Sequence, residues 1–422
     1  MPVNIAYCSG EKTLDGHPLL ALNAVGDPAD LLLPLHIRAG AAGHGRVIFK
    51  YFGESGCVCG VNDCGLLAVS LSNYSKLQDQ QSGHSGRELA DIALCRCETP
   101  NDAVDKVISL LASGLRGDEK NTQCSFVFAL GNEILLLETA GELWAVKKLT
   151  EFSALCGEYT IDGPCDRCHD FCSKHPKAKN GTLNFVKAFG DSKKANSTGA
   201  SLRRFVAVQE LYNALNGAPI RSIKDMLLGT STARHPAAGI SPLSMRRVVS
   251  AHGLQSRDAK ESMCLHPEVC HTQMVNGSVI LSPETGICFY TPLGVPCSSL
   301  YVPFMADGFL PFGDDENSAA RTALEWEFVR RSAECGVIKA DQFESALAAA
   351  QENLDLCYTL MASGSDTGER AAKIAADCLA ELKKSCTVEL SQLSSKKLGY
   401  RKDFKQQNER LQQIAKLIGL SI

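Results

Sequence analysis

Short apolar runs alternate with small polar and turn-forming residues through much of the chain. Residues 45–52 are rich in β-branched and aromatic side chains, and residues 57–72 predict two further strands around a turn. Gly131-Asn132 lies between two more apolar runs, 125–130 and 133–138, and is a two-residue loop typical of tight hairpins. Strands joined by such short turns pair antiparallel, so the pattern predicts meanders and hairpins.

The same pattern continues farther along the chain. It predicts a strand at 143–149 and a second hairpin made of 278–281 and 287–291. Hairpins that flank paired helices are typical of a layered α+β sandwich rather than of alternating βαβ units.

Two amphipathic helices are predicted between these β-regions. The first spans 86–96. The second begins at Pro100, which suits the first helical position, directly after Thr99, whose side chain can cap the free backbone N–H groups. Val104 and Leu111 lie on one stripe of this second helix, so we expect that stripe to pack against a sheet.

The composition changes near residue 313, after which Ala, Glu, Gln and Lys dominate. We therefore expect a body at 1–312 and a C-terminal helical region at 313–422 that packs on it. The last apolar stripe has coiled-coil-like spacing but is short. Its members are Phe404, Leu411, Ile414 and Ile418.

Charge and cysteine content narrow the functional classes. The 422 residues carry a net charge of −4, which gives no basic surface for nucleic acid or anionic lipid. We find no uninterrupted apolar run of about 18 residues and no apolar signal core, so neither a membrane span nor secretion is expected. Nineteen scattered cysteines then predict free thiols in a reducing compartment, with the cytoplasm as the default location.

Cys8 follows a seven-residue leader and is the leading candidate for chemistry. Removal of Met1 to Tyr7 would give Cys8 both a thiol and a free α-amine. The amine titrates near pH ~8 and the thiol near ~8.5, so the amine could accept the thiol proton without a histidine. The competing interpretation is a partly buried structural cysteine near the chain terminus.

Several ordered segments carry a family resemblance. They are Tyr7-Cys8 with Asp15-Gly16 and Asn23, then 60–65, 137–148, 183–185, 247–252, 264–267, 290–296 and 301–304. In this order they span nearly the whole chain, which resembles the secernin family among the cysteine dipeptidases of the N-terminal-nucleophile (Ntn) hydrolase superfamily. The resemblance implies a four-layer αββα sandwich, with the nucleophile at the start of an edge strand facing the cleft between the sheets.

The resemblance also implies catalytic roles. Cys8 would attack an amide carbonyl to form a thioester, Asn23 would position the amine or the substrate, and Asn73 would help to hold the oxyanion. The implied substrate is a dipeptide or another small amide, and no cofactor is implied. An inactive, secernin-like scaffold that acts through protein partners is the alternative.

Departures from the family pattern keep that alternative open. A basic residue and an Asp are expected around Asn23, where this chain has Leu22 and Val25. The family's oxyanion-binding Asn aligns with Ser70 in strict register, and Asn73 takes its place only if the alignment is shifted. A second Asn of the family pattern aligns with Gly157. Losing one oxyanion donor typically costs about 10²–10³ in rate, so several losses predict impaired activity.

Two groups of cysteines are candidates for metal sites. Cys165 to His169 matches the CxxCH pattern of covalent haem attachment, and Cys165, Cys168, Cys172 and His175 could form a tetrahedral zinc set. No haem-loading compartment is indicated, and a chance cluster in a cysteine-rich chain is favoured over zinc. A further set, Cys57, Cys59 and Cys64, lacks a histidine nearby in sequence and is expected to consist of core or turn residues.

Overall fold

The computed structural model describes residues 4–8, 19–41, 43–77, 84–113, 123–150, 153–155, 157–191, 193, 274–282, 286–294, 296–308, 310–390, 393 and 404–421. At 4–8, 154, 297 and 404 the description covers the backbone only. The motif segments 247–252 and 264–267 lie outside the described residues.

The described strands form two antiparallel sheets. The six-stranded sheet contains β1 (Asn4–Cys8), β2 (Leu19–Gly26), β10 (Ala154–Leu155), β12 (Met274–Leu281), β13 (Ile287–Tyr290) and β14 (Val302–Met305), in the order β10-β1-β2-β12-β13-β14. The eight-stranded sheet contains β3 (Leu32–Ile37), β4 (Arg46–Tyr51), β5 (Cys59–Asn62), β6 (Leu67–Ser72), β7 (Cys124–Leu130), β8 (Glu133–Ala140), β9 (Leu143–Lys148) and β11 (Arg167–Cys168), in the order β11-β9-β8-β7-β6-β5-β4-β3.

Local turn chemistry explains the hairpins. Leu130 pairs with Glu133 across the Gly131-Asn132 turn, and β12 pairs antiparallel with β13. Both predicted hairpins are therefore confirmed. The meander predicted from 45–52 and 57–72 is also confirmed, because β4, β5 and β6 pair in sequence order.

The described helices are α1 (Gly86–Arg96), α2 (Pro100–Ala112), α3 (Phe185–Phe189), α4 (Glu316–Glu334), α5 (Ala340–Ala362), α6 (Glu369–Lys384) and α7 (Phe404–Leu417). The Thr99 side chain accepts from the backbone N–H of Asp102, with Pro100 in the first turn, as predicted. None of the helices within the described ranges is both long and apolar enough to cross a membrane.

The two sheets enclose one apolar core between them. Phe49 of the eight-stranded sheet lies 5.8 Å from Tyr290 of the six-stranded sheet, measured between ring centroids. Because side chains alternate along a strand, the neighbouring residues point to the outer faces. Ile48 accordingly packs in a second core with α1 and α2, and Phe289 lies 5.1 Å from Tyr358 of α5. Helices thus cover both outer faces, and the predicted αββα sandwich is confirmed.

The C-terminal helices are tied to the strands by a buried ion-pair network. Arg331 of α4 is fully buried, and its Nε donates to Glu327 at 2.6 Å. The same guanidinium donates to the side chain of Asn408 in α7 at 2.6 Å and to the Pro28 carbonyl at 3.3 Å. Leu411 of α7 is also fully buried. The division of the chain at residue 312 stays a prediction.

Candidate active site

Strand β1 has a partner on each side. Its Cα atoms pair with β2, so that Asn4 lies opposite Asn23 and Cys8 opposite Leu19, while Ile5 pairs with Leu155 of β10. The expectation that Cys8 would begin an edge strand is therefore wrong for this chain with its leader in place. The strand starts within the leader, Cys8 is its last residue, and the two-residue β10 covers its outer side.

The leader supplies most of this strand. Residues Asn4 to Tyr7 are four of the five residues of β1, and each is paired with a residue of β2. Removing Met1 to Tyr7 would therefore take a strand out of the sheet between β10 and β2. Processing at Cys8 has to be accompanied by a rearrangement of this part of the fold.

Asn23 belongs to a buried polar row that runs from β2 through β12 to the residue after β13. Its Oδ1 accepts from Ser278 Oγ at 2.5 Å, and the Ser278 backbone N–H donates to Thr291 Oγ1 at 2.7 Å. All three side chains are almost fully buried. Leu22 on β2 points into the core between the sheets, so alternation places Asn23 on the outer face of the six-stranded sheet. This differs from the expected position in the cleft.

Asn73 follows β6 and lies on the other sheet. Its Nδ2 donates to Ser125 Oγ at 2.7 Å, and its backbone N–H donates to the Gln123 carbonyl at 2.7 Å. Its buried Oδ1 has no hydrogen-bond partner in the described part of the chain. Ser70, the residue in strict family register, alternates with Val69 of the inter-sheet core and so points toward the helices. Of these two positions, Asn73 is the one on the inner side.

Glu138 was missed by the sequence analysis. It is fully buried, lies opposite Ser125 in the β7–β8 pairing, and accepts hydrogen bonds from the backbone N–H groups of Thr160 at 2.5 Å and Ile161 at 3.1 Å. Burial raises the pKa of this carboxyl to about 7, although those hydrogen bonds oppose the shift. A carboxylate at the end of the apolar run Leu135-Leu136-Leu137 is the signal that could have found it.

The backbone segments that carry Asn23, Tyr74 and Gly157 lie toward the Asn4 end of β1. Asn23 lies opposite Asn4, and the antiparallel register of β10 directs the chain after Leu155 toward the same end. There the backbone N–H of Tyr74, the neighbour of Asn73, donates to the Gly157 carbonyl at 2.9 Å.

Cys8 lies at the opposite end of β1. It is four residues from Asn4, which corresponds to about 13 Å along a strand. In this register Cys8 is therefore away from Asn23, and the catalytic roles of Cys8, Asn23 and Asn73 stay predictions.

In the loop that carries Cys165, Cys168 and Cys172, the thiols lie near one another, but His175 does not join them. Cys168 interacts with both Cys165 and Cys172, whereas the His175 ring packs 5.6 Å from Phe189. Within the described residues, no three ligand atoms of this loop lie within 4.8 Å of one another. Burial, followed by the neighbouring Cys168 thiol, raises the pKa of Cys165 to about 11 and that of Cys172 to about 12.

The other cysteine set divides into two environments. Cys57 and Cys59 are fully buried, in agreement with the core role expected of them. Cys64 is exposed, and its Sγ lies 3.5 Å from His44 Nδ1. Cys64 lies in the β5–β6 turn, in agreement with the turn role expected of it, and the β-meander brings it close to a histidine that is 20 residues away in sequence.

Comparisons with known proteins give fold-level likenesses at low identity. No family model matches the sequence, and no curated protein matches it. Among solved structures, the chain is similar to penicillin V acylase from Agrobacterium tumefaciens, with 13% identity, a TM-score of 0.36, and coverage of 72% of this chain and 86% of that one.

Two further solved structures are similar to the chain. A variant of conjugated bile acid hydrolase from Clostridium perfringens has 13% identity, a TM-score of 0.37, and coverage of 68% and 88%. The Caenorhabditis elegans ortholog of N-acylethanolamine-hydrolyzing acid amidase has 11% identity, a TM-score of 0.36, and coverage of 67% and 92%. The substrates in these names belong to those proteins.

Proposed function

We propose that this chain is a secernin-like Ntn hydrolase that cleaves dipeptides or other small amides after removal of its leader. The supporting observation is that the backbone segments carrying Asn23, Tyr74 and Gly157 lie toward the Asn4 end of β1. A nucleophile delivered to that position would be next to a buried polar row, because directly paired residues share a face of the sheet.

A change of strand register would deliver it. Asp15-Gly16 is a two-residue turn sequence of the kind that favours tight hairpins. A hairpin closed at this turn pairs Cys8 with Asn23 instead of with Leu19, its present partner. In the processed chain Cys8 then takes the place that Asn4 holds in the unprocessed chain. Leader removal both frees the α-amine and vacates the strand position.

The proposed reaction needs no cofactor. The Cys8 amine takes the thiol proton, the thiolate forms a bond to the amide carbonyl carbon, and the carbon–nitrogen bond then breaks. The leaving amine takes this proton from the Cys8 α-ammonium group. Water then hydrolyses the thioester to release the acid and regenerate the thiol. Backbone N–H groups would donate to the oxyanion.

The apolar replacements near Asn23 predict a slow enzyme. Leu22 is fully buried in the core between the sheets, and Val25 is fully buried beside Val275. Neither can orient an amine or a carboxylate of the substrate. The cytoplasm stays the expected location, and neither nucleic acid nor lipid is an expected partner.

A scaffold role is the second candidate, and one observation favours it. The unprocessed leader is an integral strand of the sheet, so a chain that keeps it has a paired β1 and a Cys8 amine locked in a peptide bond. Such a protein would act through its surface and its partners.

Intact-mass measurement of protein from its native source separates the two candidates. A mature chain that begins at Cys8 supports the hydrolase, and retention of Val3 to Tyr7 supports the scaffold. Dipeptide hydrolysis by the processed chain should then fall to background in Cys8→Ala, with Cys168→Ala as the matched cysteine control. Equal rates in the wild type and Cys8→Ala would remove Cys8 from the mechanism.

A further inference from the structure

Four metal-ligating side chains meet on the eight-stranded sheet, outside the site described above. His44 precedes β4, Asp63 and Cys64 form the β5–β6 turn, and Glu98 follows α1. His44 Nδ1 lies 2.9 Å from Asp63 Oδ1 and 3.5 Å from Cys64 Sγ, and Cys64 Sγ lies 3.7 Å from Asp63 Oδ1. His44 Nε2 lies 3.9 Å from Glu98 Oε1. We propose that these residues form a zinc site.

The interatomic distances suit zinc coordination. Zinc bonds of about 2.3 Å to sulfur and about 2.0–2.2 Å to nitrogen or oxygen give a tetrahedron with edges of about 3.3–3.6 Å between ligand atoms. The three distances among His44, Asp63 and Cys64 are 2.9, 3.5 and 3.7 Å, so small rotations of these side chains would complete one face of that tetrahedron. Ligand atoms of His44, Cys64 and Glu98 also lie within 4.8 Å of one another.

The backbone that carries these ligands is held in place by buried hydrogen bonds. Asn62 is almost fully buried, and its Nδ2 donates to the carbonyls of Leu94 at 3.0 Å and Cys97 at 2.8 Å, at the end of α1. Its Oδ1 accepts from the backbone N–H groups of Cys64 and Leu66 inside the β5–β6 turn. One side chain thus fixes the turn against the helix, so the ligand positions are organised before an ion arrives.

The remaining contacts bring in the segment that carries His44. The backbone N–H of His44 donates to the Cys95 carbonyl at 2.9 Å, and that of Asp63 donates to the Gly45 carbonyl at 2.8 Å. Asp63 Oδ2 accepts from the Gly45 N–H at 2.9 Å, which leaves Oδ1 directed at the imidazole. The free oxygen of Asp63 is thereby held beside the other proposed ligand atoms.

The donor set selects the class of ion. One thiolate, one imidazole and one or two carboxylates suit zinc, whereas Mg²⁺ and Ca²⁺ prefer oxygen ligands alone. On binding, the Cys64 thiol gives up its proton to solvent and a zinc–sulfur bond forms.

A cysteine nucleophile is the rival interpretation of the same cluster. The Sγ of Cys64 lies 3.7 Å from the Asp63 carboxylate, and the Glu98 carboxylate belongs to the same cluster. A catalytic cysteine needs the opposite, electropositive surroundings, because its reactive form is the thiolate. The acidic surroundings that disfavour a free thiolate are compatible with a thiolate bound to a divalent cation.

Metal titration of the full-length protein tests the proposal. After treatment with a chelator, the protein should bind one equivalent of Zn²⁺, and Co²⁺ in its place should give a thiolate-to-cobalt charge-transfer band. His44→Ala and Cys64→Ser should each lower the affinity by about 100-fold or more, which is at least the effect of losing an outer-shell partner. Bound zinc should raise the Tm by on the order of 5 °C.

The control variant is Cys168→Ser, which removes an exposed cysteine from the three-thiol loop. It should bind zinc and cobalt like the wild type. Three results would overturn the proposal: no bound equivalent, binding that survives both His44→Ala and Cys64→Ser, or binding that is lost in Cys168→Ser and kept in Cys64→Ser. Far-ultraviolet circular dichroism of each variant shows whether it is folded before its affinity is compared.

Discussion

Replacing Glu138 by glutamine is expected to change how the stability of this protein depends on pH. Glu138 is fully buried between the sheets, and burial raises its pKa from 4.5 to about 7. Between these two values the folded chain holds a proton on Glu138 that the unfolded chain has lost. The free energy of unfolding therefore decreases as the pH rises through this window.

The size of the effect follows from the width of the window. One proton difference corresponds to about 1.4 kcal/mol per pH unit, so the carboxyl should cost the wild type about 3 kcal/mol of stability between pH 4.5 and pH 7. Below pH 4.5 the contribution of the protonated carboxyl is fully present, and above pH 7 it is lost. The glutamine variant lacks this proton and should lack this part of the slope.

Urea unfolding of the wild type and Glu138→Gln at several pH values between 4.5 and 8 measures the difference. Glu142→Gln, at an exposed position just after the same strand, controls for the change in net charge. The reasoning predicts that the stability difference between wild type and Glu138→Gln changes by about 3 kcal/mol across the window. A difference that stays constant with pH would refute it.

The remaining predictions concern buried polar groups. Arg331→Ala should cost about 3–5 kcal/mol in urea unfolding because it breaks a buried ion pair with Glu327, whereas Lys384→Ala, at an exposed ion pair, should change stability by less than about 0.5 kcal/mol. Equal effects of the two variants would contradict this. Asn23→Ala should cost about 1–3 kcal/mol because it leaves the buried Ser278 hydroxyl without its acceptor. Wild-type stability of Asn23→Ala would show that the polar row contributes nothing.

Local signals allowed several elements of this fold to be predicted. The Gly131-Asn132 turn fixes a hairpin because a two-residue loop of this type matches the twist of its strands. α2 begins at Pro100 for two local reasons. The Thr99 side chain accepts a hydrogen bond from a free backbone N–H of the first turn, and Pro100 has no N–H that would need a partner. Both effects depend on residues that are close together in the sequence, so they can be recognised without a structure.

Contacts between distant segments could not be predicted in this way. His44 meets Cys64 only because the β4–β5–β6 meander returns the chain to the same place. The register of β1 could not be predicted from the sequence either. The Asp15-Gly16 turn favours a hairpin in which Cys8 lies opposite Asn23, whereas in the structure Asn4 lies opposite Asn23. Local residue preferences do not decide between two registers that are both available to a strand.

Disulfide trapping in Asn23→Cys tests the change of register most directly. In a chain processed to begin at Cys8, mild oxidation should join Cys8 to position 23, because directly paired residues lie within the Cα separation that a disulfide spans. Peptide mapping by mass spectrometry identifies the bond, and the unprocessed chain, in which Cys8 lies opposite Leu19, should not form it. A processed chain that stays unlinked at these two positions would contradict the account.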